Sequence, residues 1–519
     1  MKTFTRVLAL ILATLTLLAV VVACDQGGSS DEGGSVENSE YDINGRLNDN
    51  LPGDLNYKGE KVNVMYWSDV ENLEFEVESV TGNNVSDAIF DRNNRIEDRL
   101  NVELVWNGVP GNINNRTAFV RQVQAYADAG TGSADIIASY SQTGGTLAVQ
   151  GLLIDLATIK DSYVDLDMPW WPSQMVETVS FGNAQGTSYY FLTGDISTNV
   201  LHMMHCLYIN KDLLTRLDGN INDIYQMVYD GTWTLDALIE LTSGVYSDLD
   251  TLPGKSAGDR FGLVGRSYVL DAFYIGSNMR YIVSNKEAGK SLTVSPDFAS
   301  AKTVKLVRKL GQMFNSDDWI TTKFANEPDA DSYKDGQEMT TFVQGKALVI
   351  QQHAQMAEHS LVGKANFSYG VLPMPKYNEK QVNYYTSVGN PHTLYSMFVG
   401  LSSRGNIDNT LTMLSAVLEC WASEGYRLTT PEIFEVNMQL KFSEGQDETN
   451  MFEYVRMGVT MDMGRVLAQE LSSISTRVGL CISSNASWST FYGAYKVSLN
   501  SKLADVVADF EFYQANRTH

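Results

Sequence analysis

The chain has 519 residues, of which 44% are hydrophobic, which excludes a disordered protein and supplies material for more than one packed core. Acids outnumber bases 62 to 38, giving a formal net charge of −24; so acidic a surface repels phosphate backbones and anionic lipid, and no nucleic-acid partner is expected. The 8 Trp and 26 Tyr against 20 Phe favour rings with a polar handle, which suit wet clefts.

The chain opens with Lys2 and Arg6 ahead of an apolar run, Val7 to Val22, broken only by Thr14 and Thr16. It ends at Val21-Val22-Ala23-Cys24, too short for a stop-transfer helix and patterned as an export signal. The small residue before a cysteine resembles the bacterial lipobox, which implies a signal peptide over 1–23 and lipidation of Cys24. From Asp25 to Asp54 there are eight acids and one base, Arg46, among Gly, Ser and Asn. Such a segment cannot bury enough apolar surface to fold, so 24–56 is expected to be a solvated tether at the extracytoplasmic face of a cell membrane.

Lys61 to Trp67 reads as a buried strand, and Val85 to Leu100 sets Val85, Ala88, Ile89, Ile96 and Leu100 on one helical stripe. Asn101 to Trp106 alternates as a strand; Arg116 to Ala129 is a second helix stopped by Gly130; Ala134 to Tyr140 is a third strand. This alternation predicts a doubly wound parallel sheet, which binds ligands at the carboxyl ends of its strands. No glycine-rich phosphate loop follows the first strand, so a dinucleotide site is excluded. Farther on, helices are expected at Lys211–Leu217, at Thr234–Thr242 with Thr234 as N-cap, and at Ala301–Phe314. Lys346 to Gln352 and Phe367 to Leu372 read as short strands, and Asn409–Ala422, Met451–Leu471 and Ser487–Phe512 as helices. Cys206, Cys420 and Cys481 each sit in an apolar context and read as buried free thiols, with one disulfide plus one thiol as the alternative.

The order of Ala134-Asp-Ile-Ile137, Gly151-Leu-Leu-Ile-Asp155-Leu156, Leu207-Tyr-Ile-Asn210-Lys211-Asp-Leu-Leu214, Gly231-Thr-Trp233, Phe342-Val-Gln-Gly345-Lys346-Ala347 and Tyr369-Gly370-Val-Leu-Pro373 resembles the extracellular solute-binding proteins of ABC importers, the family of maltose and oligosaccharide binders. The resemblance covers Gly59 to the C-terminus. It implies an α/β, two-lobed periplasmic-binding-protein-like fold, each lobe a sheet flanked by helices, with the ligand in the cleft. Carried onto this chain, residues 57–190 with 345–390 form the first lobe and 195–340 with 400–519 the second. Crossings fall near Gly194-Asp195, near Phe342 to Lys346 and near Gly389 to Thr393. Asp161 to Ser188 and Gly425 to Asp447 look like embellishments.

Sugar sites pair planar polar groups with stacked rings. Trp67, Ser68 and Asp69 leave the first strand, and Tyr140, Ser141 and Gln142 the third, where the resemblance places ligand contacts. Gln352 and His353 follow a later strand, Asp195 and Asn390 lie at the implied hinges, and Trp488 is the second-lobe stacking candidate. At each position the alternative is structural: a strand-end Trp caps the core, and a hinge Asp or Asn satisfies backbone. Trp170-Trp171, between Pro169 and Pro172, either lines the cleft or fills interlobe surface. The Asp165/Asp167, Asp317/Asp318 and Asp329/Asp331 pairs read as solvated surface without the calcium-loop pattern. No HExxH, GxSxG or P-loop occurs, and no metal or cofactor is expected. The resemblance therefore implies a monomeric, lipid-anchored receptor that hands a small solute, an oligosaccharide first, to an ABC permease. A surface glycoside hydrolase or lyase, and a receptor for a peptide or polyamine, are the alternatives.

Overall fold

A computed structural model of the protein describes residues 40–130, 133–172, 175, 180–183, 186–250, 252, 254–285, 290–322, 336–441, 443 and 445–515. Cys24 and the segment expected to be a signal lie outside the described residues, as do Asp329 and Asp331. The chain divides into residues 1–45 and a body of residues 46–519. In the first, the described residues end in a turn closed by the Gly45 N–H on the Asp42 carbonyl, 3.0 Å.

The body begins with the predicted alternation. Strand β1 (Glu60–Trp67) is covered on both faces, so Val62, Val64, Met65 and Trp67 are all buried. Helix α1 (Asn84–Leu100) starts where the Asn83 side chain accepts the Val85 and Ser86 N–H groups, and ends at Asn101 in the left-handed region, φ 48°. Strand β2 (Val102–Val109), helix α2 (Arg116–Ala129), strand β3 (Ile136–Tyr140) and helix α3 (Ser141–Val149) follow. Gly130 ends α2 at φ 60°, the position a Cβ disfavours.

After Leu192 the chain leaves this half. Strand β4 (His205–Asn210) opens a second sheet with β5 (Phe261–Arg266), β6 (Trp319–Thr322), β7 (Ala347–His353) and β8 (Tyr369–Leu372), in the order β6-β5-β7-β4-β8. β5, β6 and β7 run parallel; β4 lies antiparallel to β7 with His205 opposite His353, and to β8 with Leu207 opposite Leu372. The chain then returns, and β9 (Thr393–Met397) completes a four-stranded first sheet in the order β9-β3-β1-β2, with Thr393 opposite Tyr140. The outgoing and returning segments run side by side: Leu192 bridges Tyr395, Met204 bridges Val388, and the Gly389 N–H donates to the Met203 carbonyl at 2.7 Å.

Helix α4 (Ile407–Glu424) packs on α1 and continues into π-helical turns over Gly425–Thr429 and Pro431–Lys441. Pro431, which has no N–H to donate, opens the second of these turns. A short helix α5 (Met463–Val466) packs on α3, and the long helix α6 (Trp488–Ala515) closes the chain.

Five expectations are corrected. Residues 46–56 are not solvated tether: they belong to the body, Asp49 and Leu51 are buried, and Asp49 pairs with Arg427 at 3.1 Å. Residues 345–390 were assigned to the first lobe, yet their strands β7 and β8 pair in the second sheet. The crossing expected near Phe342 to Lys346 is absent there, because Phe342 belongs to a helix, Gln337–Val343, packed on β5, β6 and β7 of one sheet. Residues 400–519 do not stay with the second lobe, since α4 rests on α1. A continuous helix over Met451–Leu471 is also replaced by a helix, Gln446–Met457, a two-residue strand, Val459–Thr460, and α5.

Candidate functional site

The carboxyl edge of the first sheet ends in Trp67, Val109 and Tyr140; that of the second ends in Arg266, His353 and Leu372. The two edges meet along a seam floored by the crossing segments. The Ser141 hydroxyl donates to the Asn390 carbonyl at 2.7 Å. From the loop after β1, the Asn72 amide donates to Gln355 Oε1 at 2.8 Å and Asn199 Oδ1 at 2.9 Å. Gly389 lies so close to β7 that a Cβ there would fall 2.5 Å from His353 Nε2.

Arg465 of α5 is the buried charge at the seam. Its guanidinium pairs with Asp271 and donates to Asn390 Oδ1 at 3.2 Å. Burial raises the Asp271 pKa against the pull of Arg465, and its Oδ1 has no partner among the described residues. Beside it, Asp462 accepts the Tyr281 and Gly464 N–H groups at 2.7 Å each, and burial pushes its carboxyl up to about 6.

Five of the six histidines in the chain (His202, His205, His353, His359 and His392) occur on segments bordering this seam. The His205 and His353 ring centroids lie 4.4 Å apart with the planes tilted by 41°. His392 Nδ1 lies 2.8 Å from the Gly389 carbonyl, so Nδ1 carries the proton and Nε2 presents a lone pair. His205 Nδ1 takes the Gln351 amide N–H at 3.0 Å, so its Nε2 is a donor and Gln351 Oε1 an acceptor. Neither of these, nor His353 Nε2 or His392 Nε2, has a hydrogen-bond partner among the described residues. Burial, reinforced by the Arg465 charge, pushes His353 down to about 3; burial also holds His392 near 4. The imidazoles are therefore neutral around pH 7 and can both accept and donate. A charge-balanced seam with unspent donors and acceptors suits a hydroxylated guest, because each buried polar atom left unmatched costs about 1–3 kcal/mol.

The sequence-predicted residues divide around this seam. Tyr140, Ser141, Gln142, His353 and Asn390 are gathered at it. Gln352 is at the end of β7, but its amide donates to Met339 Sδ at 3.3 Å and its oxygen accepts the His353 N–H at 3.0 Å. Trp67 is corrected: it is wholly buried, its Nε1 donates to Thr393 Oγ1 at 2.9 Å, and it meets Tyr140 edge-on at 5.5 Å from beneath. Ser68 is exposed and its N–H donates to the Val109 carbonyl. Asp69 is occupied with backbone, accepting the Gly111 and Asn112 N–H groups at 2.7 and 2.8 Å. Asp195 accepts from the Thr430 hydroxyl at 2.9 Å and lies 3.5 Å from Arg456 in the first crossing. Trp488 is corrected as well: it is buried against Phe298, whose carbonyl its Nε1 reaches at 2.9 Å. The sequence reading missed Arg465, Asp271, Gln351 and His392. Of these, only the histidine in Asn390-Pro391-His392, beside a named hinge residue, gave a readable signal.

Trp170 and Trp171 fill the interior. Their indole N–H groups donate to the two oxygens of buried Glu419 at 2.9 and 2.8 Å, and burial pushes that carboxyl up to about 7. Cys206, Cys420 and Cys481 are buried free thiols. Asp248, Asp250 and Asp259 bring carboxylate oxygens within 4.8 Å of one another, but Asp259 is held by the Ser256 N–H at 2.9 Å. Among the described residues no helix is long and apolar enough to cross a membrane.

No protein-family model and no curated protein sequence matches the chain. Its structure is similar to UspC of M. tuberculosis, with a TM-score of 0.52 and 14% identity over 85% of this chain and 100% of that one. It is similar to the cyclic alpha-maltosyl-1,6-maltose binding protein of Arthrobacter globiformis, TM-score 0.52 and 14% identity over 86% and 99% of the two chains. A cyclo/maltodextrin-binding protein complexed with maltotetraose superposes with a TM-score of 0.51 at 12% identity, over 89% and 99%. The fold is that of the two-lobed solute-binding proteins, a mixed α/β architecture with sheets flanked by helices.

Proposed function

We propose that this protein is the solute receptor of an ABC importer, capturing an oligosaccharide between its two sheets without altering it. The observation that carries the reading is the set of buried polar atoms without hydrogen-bond partners among the described residues on the segments bordering the seam: His205 Nε2, His353 Nε2, His392 Nε2, Gln351 Oε1 and Asp271 Oδ1. A guest with several hydroxyl groups suits such a set, because each hydroxyl both donates and accepts. Capture proceeds by closure of the two halves about the crossings, the closed form being selected because both edges then contact the guest. The pairing of Arg465 with Asp271 keeps the seam near electrical neutrality, which supports an uncharged sugar over a polyamine or a charged peptide. The solved neighbours are binding proteins by name, which supports a receptor over a hydrolase or lyase.

In this reading the lipidated Cys24 and the acidic leash hold a monomeric body at the outer face of the membrane, where the closed form docks on a permease. Isothermal titration against a panel of oligosaccharides, with chromatography of the same mixtures, tests the proposal. Stoichiometric heat with intact sugar is the expected result; turnover of the sugar identifies an enzyme, and silence across the panel removes the sugar. Globomycin-sensitive processing and loss of membrane association in a Cys24→Ser variant test the anchor.

A further inference from the structure

Asp195 lines a cavity of about 260 Å³ on the other side of the crossings from the seam. The two-residue strand Val459–Thr460 separates the two spaces. Val459 lines the cavity and Thr460 the seam beside Asn390, His392 and Arg465, as successive residues of a strand point to opposite sides. The walls come from both halves. Pro169 and Pro172 flank the indoles held by Glu419 of α4, which rests on α1. A second wall is Glu453, Arg456 and Met457, whose spacing of three and four puts them on one face of the helix Gln446–Met457. That helix packs on β8, and its Glu448 accepts from Lys211 Nζ at 2.8 Å, which ties it to the second half. Apolar Val200, Leu201 and Val459 are joined in the lining by two carboxylates, Asp195 and Glu453, and one cation, Arg456. Arg456 lies 3.5 Å from Asp195 Oδ1 and over the Phe434 ring at 4.9 Å, while the neighbouring Arg46 is spent on Glu435 at 2.8 Å. One negative charge is left over. The Thr430 hydroxyl takes the same Oδ1 at 2.9 Å, so Oδ2 can receive the N–H of a guest. Glu453 meets the Gln439 amide at 3.5 Å, too long a contact to fill its acceptor sites.

We propose that this cavity is a second ligand site, separate from that of the solute, which takes a small aliphatic amine and, when occupied, holds the two halves closed. The ammonium sits on Asp195 and Glu453, and the chain on Val200, Leu201 and Val459. Only the closure step rests on the solute-capture reading above. A carboxylate in this place would face two acids, and a neutral chain would leave the surplus charge unmatched. At about 30 Å³ for each water-sized group the space holds roughly eight non-hydrogen atoms. That is the size of hexylamine, which is protonated at neutral pH as a lysine side chain is. The sign of the coupling follows from the placement. A rotation that parts the two edges at the seam draws together the walls behind the crossings, so a guest there resists opening. By linkage it tightens solute capture by the factor by which the solute tightens the guest.

Isothermal titration of the full chain with n-hexylammonium chloride tests the site, with n-hexanol and sodium hexanoate as the uncharged and anionic controls. Saturable one-to-one binding is expected, at least about tenfold tighter than either control. It should weaken about tenfold in Asp195→Asn and in Glu453→Gln, each removing one charge-assisted bond. Thermal melts within a few degrees of the parent establish that the variants are folded, and Glu453, being partly exposed, keeps the test open if Asp195→Asn is not. Repeating the titration with maltotriose at saturation reads the coupling, and amine affinity is expected to rise about fivefold. No heat from the amine, equal binding of hexanol, or an affinity unmoved by both substitutions overturns the site. Amine affinity unchanged or lowered by a maltotriose that itself binds overturns the coupling and leaves solute capture standing. Saturable amine binding beside a panel of oligosaccharides that stays silent sustains the site while the sugar reading falls.

Discussion

Replacing Glu419 with alanine removes the acceptor for three donors: the Trp170 indole at 2.9 Å, the Trp171 indole at 2.8 Å and the Asp165 N–H at 3.1 Å. Both rings are essentially without solvent contact, so water cannot replace the carboxylate. At about 1–3 kcal/mol for each buried donor left unmade, the two indoles alone give a loss of about 2–6 kcal/mol. The pH dependence follows from the raised pKa. Burial pushes the Glu419 carboxyl up to about 7 in the folded protein, against 4.5 for a solvated glutamate. A raised acid contributes stability that is fully present below pH 4.5 and lost as pH rises through 7, a span of ~3 kcal/mol at 1.36 kcal/mol per pKa unit. The gap between parent and Glu419→Ala is therefore wider at pH 5 than at pH 8. Urea unfolding followed by tryptophan fluorescence at both pH values measures it. A gap under about 1 kcal/mol, or one that narrows on acidification, refutes the reasoning. The effect reaches the seam, because the Asp195 N–H is held by the Trp170 carbonyl at 3.1 Å, an oxygen so close to Gly194 that a Cβ there would collide with it. Loosening the indoles frees the first crossing, so solute affinity in Glu419→Ala should fall as well.

Other perturbations give equally definite outcomes. His392, held near 4 by burial, contributes stability present above its ordinary pKa of 6.5 and lost as pH falls toward 4; the parent's advantage over His392→Asn should shrink by ~3 kcal/mol across that window, measured by urea melts. Arg465→Met strands the Asp271 carboxylate in the interior and should cost ~3–5 kcal/mol, while Arg465→Met with Asp271→Leu recovers most of it; both abolish solute binding in titrations. Gly389→Ala drives a methyl into His353 and should weaken solute affinity at least about tenfold, since the imidazole must leave its place at the seam.

Local order was legible in the sequence and long-range pairing was not. The helices Arg116–Ala129 and Ala301–Phe314 lie where they are expected, with Gly130 stopping the first as read; the Ser300 cap of the second is not named from the sequence and comes from the structure. Thr234 caps Leu235–Thr242 as read. Strand β7 was recognised as a buried strand but assigned to the wrong sheet. A run that is apolar on both faces says that it is interior and nothing about which neighbours flank it. Trp67 illustrates the same limit. Its position at the end of β1 was right, but the side chain lies beneath Tyr140 and against Thr393, which is over three hundred residues away in sequence. Glu419 holds Trp170 and Trp171 across some 250 residues, and no pattern local to either could announce the partnership. Of the seam, Tyr140 to Gln142, His353 and Asn390 could be named because they sit at strand ends and crossings. Arg465 and Asp271 could not, since each lies on a short helix whose docking is decided by contacts from both halves.

The placement of β9 also bears on assembly. Tyr140 awaits its partner Thr393 until about 250 further residues have emerged, so the opening half of the molecule cannot reach its mature hydrogen bonding while the middle is still being synthesised. Closing a loop of that span is slow, and the exposed flank of β3 in the interim is a template for improper pairing. A chain wired in this way stays unfinished for most of its translation, and the late return of residues 393–397 acts as the clasp that lets the rest become permanent.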